Sequence, residues 1–573
     1  MRLTSLQIQK FRSIDNITVS IDQILAVVGA NNTGKSHILR ALNAFFNFAD
    51  EREAFLNHDH MYSSRSRPKI TLSFDNIEPD DNVDPMYIHS GKLTVRFTYR
   101  WDRKNPAYDV ISANRTYTIS TEQFDILMNR FRYIYVPVVR NYESAIFGNE
   151  GIAYRLLRST LSQQIANRNT IQPLVDKLLA KVNSTIFTSA IASIKQYYPL
   201  KDANLTMRTS NKDFLDVIIQ SISLYLSENT QVNEIGNCGS GIQSAVYFAI
   251  AMAVSMGNNV NCLVGIEEPE LNMHPQAQRL LIESLKNQVK YPKTQFILTT
   301  HSTVVIDKLG HTHIALCHKN SGPGRDIVTT VSQIGQDFWD KYKFSEERYN
   351  NFYQYKNSDF FFSSYIIITE SPTDCSIIAE LLSRYHIDIE EVAISLIPAD
   401  GERSIKYPYA MAKELSIPFL CIVDRDVFQP YDGNSRKESL RSNGIPKYKS
   451  IGKTSSPIYD LIADSDLDHL LTNIFCDKYN DVLEILKKYR IISMRYAIEV
   501  DMVICPSYCN AICDFLGVAP ENRNATYLLT EKSDRIKKCD VIVAAFDSNP
   551  LRNLPMSYRR IIAYVREMIE ENI

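Results

Sequence analysis

Two sets of side chains in this sequence have the types and spacings that phosphate chemistry needs. The first is Gly29-Ala-Asn-Asn32-Thr-Gly34-Lys35-Ser36, which has the pattern of a phosphate-binding loop. Small residues there let successive backbone N–H groups wrap a phosphate, a lysine reaches the β and γ oxygens, and a serine hydroxyl is a ligand for Mg²⁺. Asn32, Gly34, Lys35 and Ser36 are therefore candidates for nucleotide contact, and Ser36 for the metal that accompanies it. The second set is acidic: Glu370 and Asp374, then Asp424 and Asp426. Four carboxylates gathered in one crevice repel one another and hold their protons above the ordinary range unless a cation neutralises them. That requirement makes Glu370, Asp374, Asp424 and Asp426 candidate ligands for divalent metal, with two ions about 4 Å apart and phosphodiester hydrolysis as the chemistry.

Each set needs elements that aim it. Leu3–Ile8 and Ile24–Val28 read as strands, and the second runs directly into the glycine loop. Apolar residues at Ile38, Leu39, Leu42 and Phe45 then predict a helix. Downstream, Cys262–Ile266 is a short buried-strand run ending in Glu267-Glu268-Pro269-Glu270. Such a strand carries acids to the carboxyl end of a sheet beside the loop, where Glu267 would hold Mg²⁺ through water and Glu268 would polarise the attacking water. A further strand ends in Thr300-His301-Ser302, with His301 a candidate γ-phosphate contact. For the acids, Tyr365–Thr369 reads as a strand ending in Glu370, and Pro372 suits the first turn of a helix that holds Asp374. Strands near Val392–Ile397 and Pro418–Val423 follow, the second leading into Asp424-Arg425-Asp426, where strand alternation would point both aspartates one way. Parallel strands connected by helices gather ligands at their carboxyl edge.

The order of phosphate loop, Gly239-Ser240-Gly241-Ile-Gln243, Glu-Glu-Pro-Glu with His274-Pro275 after it, and Thr-Thr-His-Ser resembles the ABC-type ATPase heads of the RecF, SMC and OLD families. Lys10-Phe11-Arg12-Ser13-Ile14 is similar to their N-terminal segment, and the resemblance adds Arg12 to the nucleotide contacts. It also implies that Ser240 completes the nucleotide site of a second copy in a head-to-head dimer, although the Gly-Ser-Gly order departs from the usual Ser-Gly-Gly. The arrangement strand-Glu-x-x-x-Asp-helix, strand-helix, strand-Asp-x-Asp resembles the Toprim domain, with Gly401 in the small-residue turn between the acidic motifs. Ser371 stands where a glycine usually follows the Toprim glutamate, a place serine can fill if its φ stays negative.

An ABC head joined to a C-terminal Toprim domain resembles the OLD (overcoming lysogenisation defect) nucleases over nearly the whole chain. The resemblance implies an α/β fold: an ABC-type P-loop ATPase with a helical dimerisation insertion, followed by a Toprim α/β domain. The expected lobes of the head are 1–145 and 231–345, the insertion 146–230 and the Toprim domain 360–573. Within the insertion, Ile171, Leu174, Val175, Leu178, Leu179, Val182 and Ile186 repeat at helical spacing, which is either core packing or an oligomerisation helix. The implied cofactors are ATP and Mg²⁺ or Mn²⁺, and the implied activity is DNA endonuclease cleavage gated by nucleotide. Ile498-Glu499-Val500-Asp501-Met502 is similar to a later family segment that supplies further metal ligands, and strand alternation would set Glu499 and Asp501 on one face. A downstream lysine near the scissile phosphate is also implied, Lys532 first, with Lys537 or Lys538 behind it. The implied partners are DNA, a homodimer or higher homo-oligomer, and a defence-system companion such as a helicase or a retron reverse transcriptase with its DNA. The alternative is a non-nucleolytic, ATP-dependent DNA repair clamp of RecF or SMC type.

Composition bounds these readings without deciding them. A chain of 573 residues with 45% hydrophobic and 22% charged residues is ordinary for a globular protein of two principal domains. A net charge of −2 supplies no general attraction to nucleic acid, so DNA contact must use local patches such as Arg65, Arg67 and Lys69, or Lys532, Arg535, Lys537 and Lys538. The start has no signal-peptide block, and the apolar run near Ala245–Met256 is shorter than the roughly 20 residues a membrane span needs. A cytoplasmic location is the expectation. The ten cysteines read as reduced core thiols. Cys505, Cys509 and Cys513 recur every fourth residue, a spacing that suits one helix face, but no fourth metal ligand accompanies them.

Overall fold

The computed structural model describes residues 1–113, 115–138, 173, 177, 224–228, 231–243, 246, 249–250, 261–288, 293–322, 325–345, 358–435, 437–449 and 456–570. They form two units. One is Met1–Val27, Gly34–Val305 and Ser321–Val328; the other is Val28–Thr33, Ile306–Asn320 and Thr329–Ile573.

In the first unit the antiparallel strands run in the order Arg115–Ile119, Ala107–Ser112, Lys92–Thr98, Lys69–Asp75, Arg2–Phe11, Ile14–Ser20. Lys69–Asp75 buries alternate residues, Ile70, Leu72 and Phe74, so one face packs and the other is wetter. A parallel set runs in the order Ile24–Val28, Thr294–Thr299, Asn261–Glu267, Phe131–Val136. Ile24–Val28 and Thr294–Thr299 are buried at every residue, the mark of strands covered on both faces. The helix Lys35–Phe46 packs on them through Ile38, Leu39, Leu42 and Phe45, the face expected from spacing.

The second unit holds a four-stranded parallel sheet in the order Ile394–Pro398, Tyr365–Thr369, Phe419–Val423, Ile491–Ser493. Ile367, Leu420, Ile422 and Ile492 form a core with Ile377, Ile378, Leu381 and Leu382 of the helix Pro372–Arg384. The first, third and fourth strands in chain order end next to the candidate acids, which is why the sheet matters to function.

Two local expectations are corrected. The strand before Asp424 stops at Val423, and Arg425–Val427 is a 3-10 turn rather than a continuing strand. Ile498–Ile504 is a helix, so Glu499 and Asp501 leave it in different directions instead of sharing a strand face. The helix Pro506–Phe515 begins after Cys505, and Cys509 and Cys513 are buried in the hydrophobic core with Cys505 packed against it, in keeping with the reading of core thiols. The stripe Ile171–Ile186 and the rest of the expected insertion lie outside the described residues, apart from 173, 177, 224–228 and the segment's end, where Tyr225–Glu228 pairs with Gln231–Glu234. The run Ala245–Met256 lies mostly outside them too. No described helix is long and apolar enough to cross a membrane.

Candidate active site

The acidic crevice is built by strand ends. Thr369 closes a fully buried strand, and Glu370 follows it half-buried. The Asp424 N–H donates to Glu370 Oε1 at 2.7 Å, so the neighbouring strand end fixes that carboxylate. Asp424 Oδ1 in turn accepts the Ile498 N–H at 3.0 Å, from the start of the helix that carries Glu499. The 3-10 turn then brings Asp426 back, and one carboxylate oxygen each from Glu370, Asp424 and Asp426 lies within 4.8 Å of the others. The turn thus achieves the convergence expected of a strand.

Burial, with the charges of Glu370, Glu499, Asp426 and Asp374 added, pushes the Asp424 carboxyl well above the usual carboxylate range. An all-oxygen donor set this crowded fits a hard divalent cation, whose charge would remove the repulsion.

Asp374 is near but differently occupied. Its Oδ2 accepts from the Ser371 N–H at 3.0 Å and the Ser371 hydroxyl at 2.8 Å, closing a capping box at the helix start. Burial raises its pKa, with Glu499 adding to the rise and Lys537 opposing it. Ser371 has φ −139°, so it fills the glycine position without strain. Gly401 has φ +100° and donates its N–H to the Glu370 carbonyl at 2.9 Å, so the small-residue turn closes directly behind the glutamate.

Of the two later acids, Glu499 belongs with this group and Asp501 does not. Asp501 accepts from the Arg495 N–H at 3.1 Å, the Tyr496 N–H at 3.0 Å and the Ser557 hydroxyl at 2.6 Å. It is a buried carboxylate tying helices together, and burial pushes its pKa up to about 6. Lys537 Nζ stands 4.0 Å from Glu499 Oε1, whereas Lys532 caps the helix Ala525–Glu531 and Lys538 caps the helix Cys539–Asp547. The geometry therefore favours Lys537 over Lys532 as the cation beside the acids.

The nucleotide candidates sit on the parallel strands of the first unit and the loop that follows them. Gly34 takes φ 92° as the cap of Lys35–Phe46, leaving the helix N-terminus open, and Asn32 has φ 63°. A Cβ on Gly29, at φ 140°, would collide with the Cys317 carbonyl. Lys35 is buried and Ser36 half-buried in the first turn. Glu267 closes its strand 8% exposed, with Oε1 buried, close to the Tyr135 hydroxyl and without a well-formed hydrogen bond among the described residues. An orphaned carboxylate oxygen of this kind fits the second sphere of a Mg²⁺ ion. Glu268, at φ 44°, has Oε1 3.8 Å from His301 Nε2. Burial, then Lys35, lowers the His301 pKa, which places the lysine and the imidazole in one electrostatic neighbourhood. Glu270 has a structural part that its place in the motif does not announce: its Oε1 accepts from the Thr300 hydroxyl at 2.7 Å and the His301 N–H at 2.8 Å, locking the two strand ends together. Ser240 is exposed at the start of a helical turn.

Family models match both halves of the chain. An AAA ATPase domain model matches residues 1–306, and the Toprim domain of overcoming lysogenization defect protein-like chains matches residues 361–426. The chain belongs to the OLD family of nucleases. An OLD nuclease of Thermus scotoductus is 24% identical over 77% of this chain and 84% of its own length. An endonuclease GajA of Bacillus cereus is 31% identical over 30% of this chain and 27% of its own. The Old nuclease of Escherichia phage P2 is 22% identical over 71% and 74%. As an OLD-family chain it is a nuclease with an ATPase domain. The Toprim match ends at Asp426, so it covers the three clustered acids and leaves Glu499, Asp501 and the lysines to geometry alone.

Proposed function

We propose that this OLD-family chain is a divalent-metal-dependent DNA endonuclease whose cleavage is gated by ATP. The observation that carries the reading is the convergence of Glu370, Asp424 and Asp426, each with an oxygen within 4.8 Å of the others, at the carboxyl edge of a parallel sheet. Glu370, Asp424 and Asp426 would hold the metal, with Glu499 and Asp374 completing the negative wall. When bound, Mg²⁺ or Mn²⁺ would supply the charge that neutralises this wall and polarises a phosphodiester. The chain's own part is orientation. The Asp424 N–H holds one Glu370 oxygen, the Ile498 N–H holds one Asp424 oxygen, and the Lys537 ammonium beside Glu499 would balance charge on a bound phosphate.

Lys35, Ser36, Asn32, Gly34 and Arg12 would hold the phosphates of the nucleotide. Glu267 would stand behind the nucleotide's metal ion, and Glu268 with His301 at the γ-phosphate. Ser240, exposed, would reach the nucleotide of a second copy, so that ATP assembles head-to-head dimers and thereby licenses cutting. Resemblance to the family extends the proposal to anti-phage defence, with a helicase or a retron as companion. Plasmid cleavage in Mg²⁺ tests the reading. The parent should cut, EDTA should stop it, and Asp424→Ala should abolish cutting while still binding ATP; an Asp424→Ala protein that cuts like the parent would refute the assignment.

A further inference from the structure

Within the ATPase unit lies a buried polar chain that the candidate nucleotide contacts leave unexplained. The side chains of His60 and Glu51 are 0% and 5% exposed, and His60 Nε2 lies 2.6 Å from Glu51 Oε2. Arg12 Nε donates to His60 Nδ1 at 2.9 Å, while Glu51 Oε1 accepts from Asn43 Nδ2, also at 2.9 Å. Asn43 belongs to the helix that begins at Lys35. The His60 ring stacks on Phe11, with centroids 4.9 Å and planes 27° apart, and meets Phe55 edge to face. Neither nitrogen is free to change partner.

The hydrogens along this chain can be assigned. A guanidinium Nε–H can only donate, so His60 Nδ1 must be the bare nitrogen, Nε2 must carry the hydrogen, and Glu51 must accept it. Only the neutral imidazole satisfies both neighbours. Burial, which outweighs the Glu51 hydrogen bond, lowers the His60 pKa in the same sense. Arg12 also sits at φ 51° with its N–H donating to the His60 carbonyl at 3.3 Å, so both backbone and side chain are fixed by one residue.

The place where Arg12 is held gives the arrangement its meaning. Ser13 Oγ lies 2.8 Å from His37 Nδ1, and the charges of Arg12 and Arg40 both bear on His37, which directly follows Ser36. Arg12 and Arg40 therefore crowd the N-terminal turn of the phosphate-loop helix, whose own dipole is positive there. Glu51, with Oε2 3.7 Å from Arg40 Nη1, and Asp59 offset part of this positive charge, and what remains favours an anion at the turn.

We propose that Glu51 and His60 are positioning residues that aim the Arg12 guanidinium at the phosphates of the bound nucleotide. The proposal rests on the phosphate-loop reading of Lys35. It makes His60 matter to nucleotide affinity only through Arg12, and that is measurable with the full-length chain, Mg²⁺ and a fluorescent ATP analogue. Arg12→Ala and His60→Leu should each weaken binding by about tenfold or more, as expected for a charge-assisted contact. Because they act on one contact, the double variant should bind no more weakly than Arg12→Ala alone. His60→Asn offers an acceptor where Nδ1 stood and disturbs the Phe11 and Phe55 packing less, so it should recover most of the loss even if His60→Leu folds poorly. Losses that multiply in the double variant, or a His60→Asn protein as weak as His60→Leu, would overturn the proposal. Lys35→Ala is the control: if it binds the analogue like the parent, it is the phosphate-loop reading that has failed.

Discussion

His37 shows how far burial can move one side chain. Burial, reinforced by Arg12, Arg40 and His60, lowers its pKa from 6.5 to about 3. The unfolded chain therefore takes up the proton first as the pH falls. The stability contributed by keeping His37 neutral is complete above pH 6.5 and drains away toward pH 3, at up to about 1.4 kcal/mol per pH unit. His37→Gln can keep a hydrogen bond to Ser13 without titrating, so its melting temperature should fall less steeply between pH 6.5 and pH 4 than the parent's. At the acidic crevice the residue-scale prediction concerns charge. Lys537→Ala should slow cleavage in saturating Mg²⁺ by about tenfold or more, as for loss of one electrostatic contact to a phosphate, and Lys532→Ala should change it far less; comparing the two single-turnover rates checks this. The family resemblance pointed to a downstream lysine and put Lys532 ahead of Lys537 and Lys538, whereas the geometry favours Lys537, because the choice depends on how short helices turn between Ala525 and Asp547. Nor could it reveal the Glu51–His60 pair, nine residues apart and joined to Arg12 only by folding.

At the scale of elements, the strands and helices that carry the acids were legible because both faces of a parallel strand are apolar and the following helix repeats at 3.6 residues. Tyr365–Thr369 and the Ile377, Ile378, Leu381, Leu382 face came out as read. Five-residue alternations were not legible. Ile498-Glu499-Val500-Asp501-Met502 alternates as a strand would, yet it is a helix in which even its acids are buried, so the pattern reports burial on all sides rather than period 2. The strand Phe419–Val423 was read nearly to the residue, but the turn after it was not, since a 3-10 turn of three residues leaves no period to detect. Ser371 gives an element-scale test. Ser371→Ala removes the capping hydroxyl and should cost about 1 kcal/mol, whereas Ser371→Gly should cost only a few tenths. Thermal melts of the two variants would separate a capping role from mere tolerance of a missing glycine.

At the scale of the whole molecule, nucleotide state in the ATPase half would govern cutting at the clustered acids. Lys35→Ala should cut at a rate indifferent to ATP, while the parent's rate changes when ATP is added; cleavage time courses with and without nucleotide would show it. The central claim is nevertheless the metal. Crystals grown with Mn²⁺ and measured at the manganese absorption edge would test it most directly. The account predicts anomalous density within bonding distance of Glu370, Asp424 and Asp426. A crevice without such density, its acids instead neutralised by lysine or arginine side chains, would contradict it.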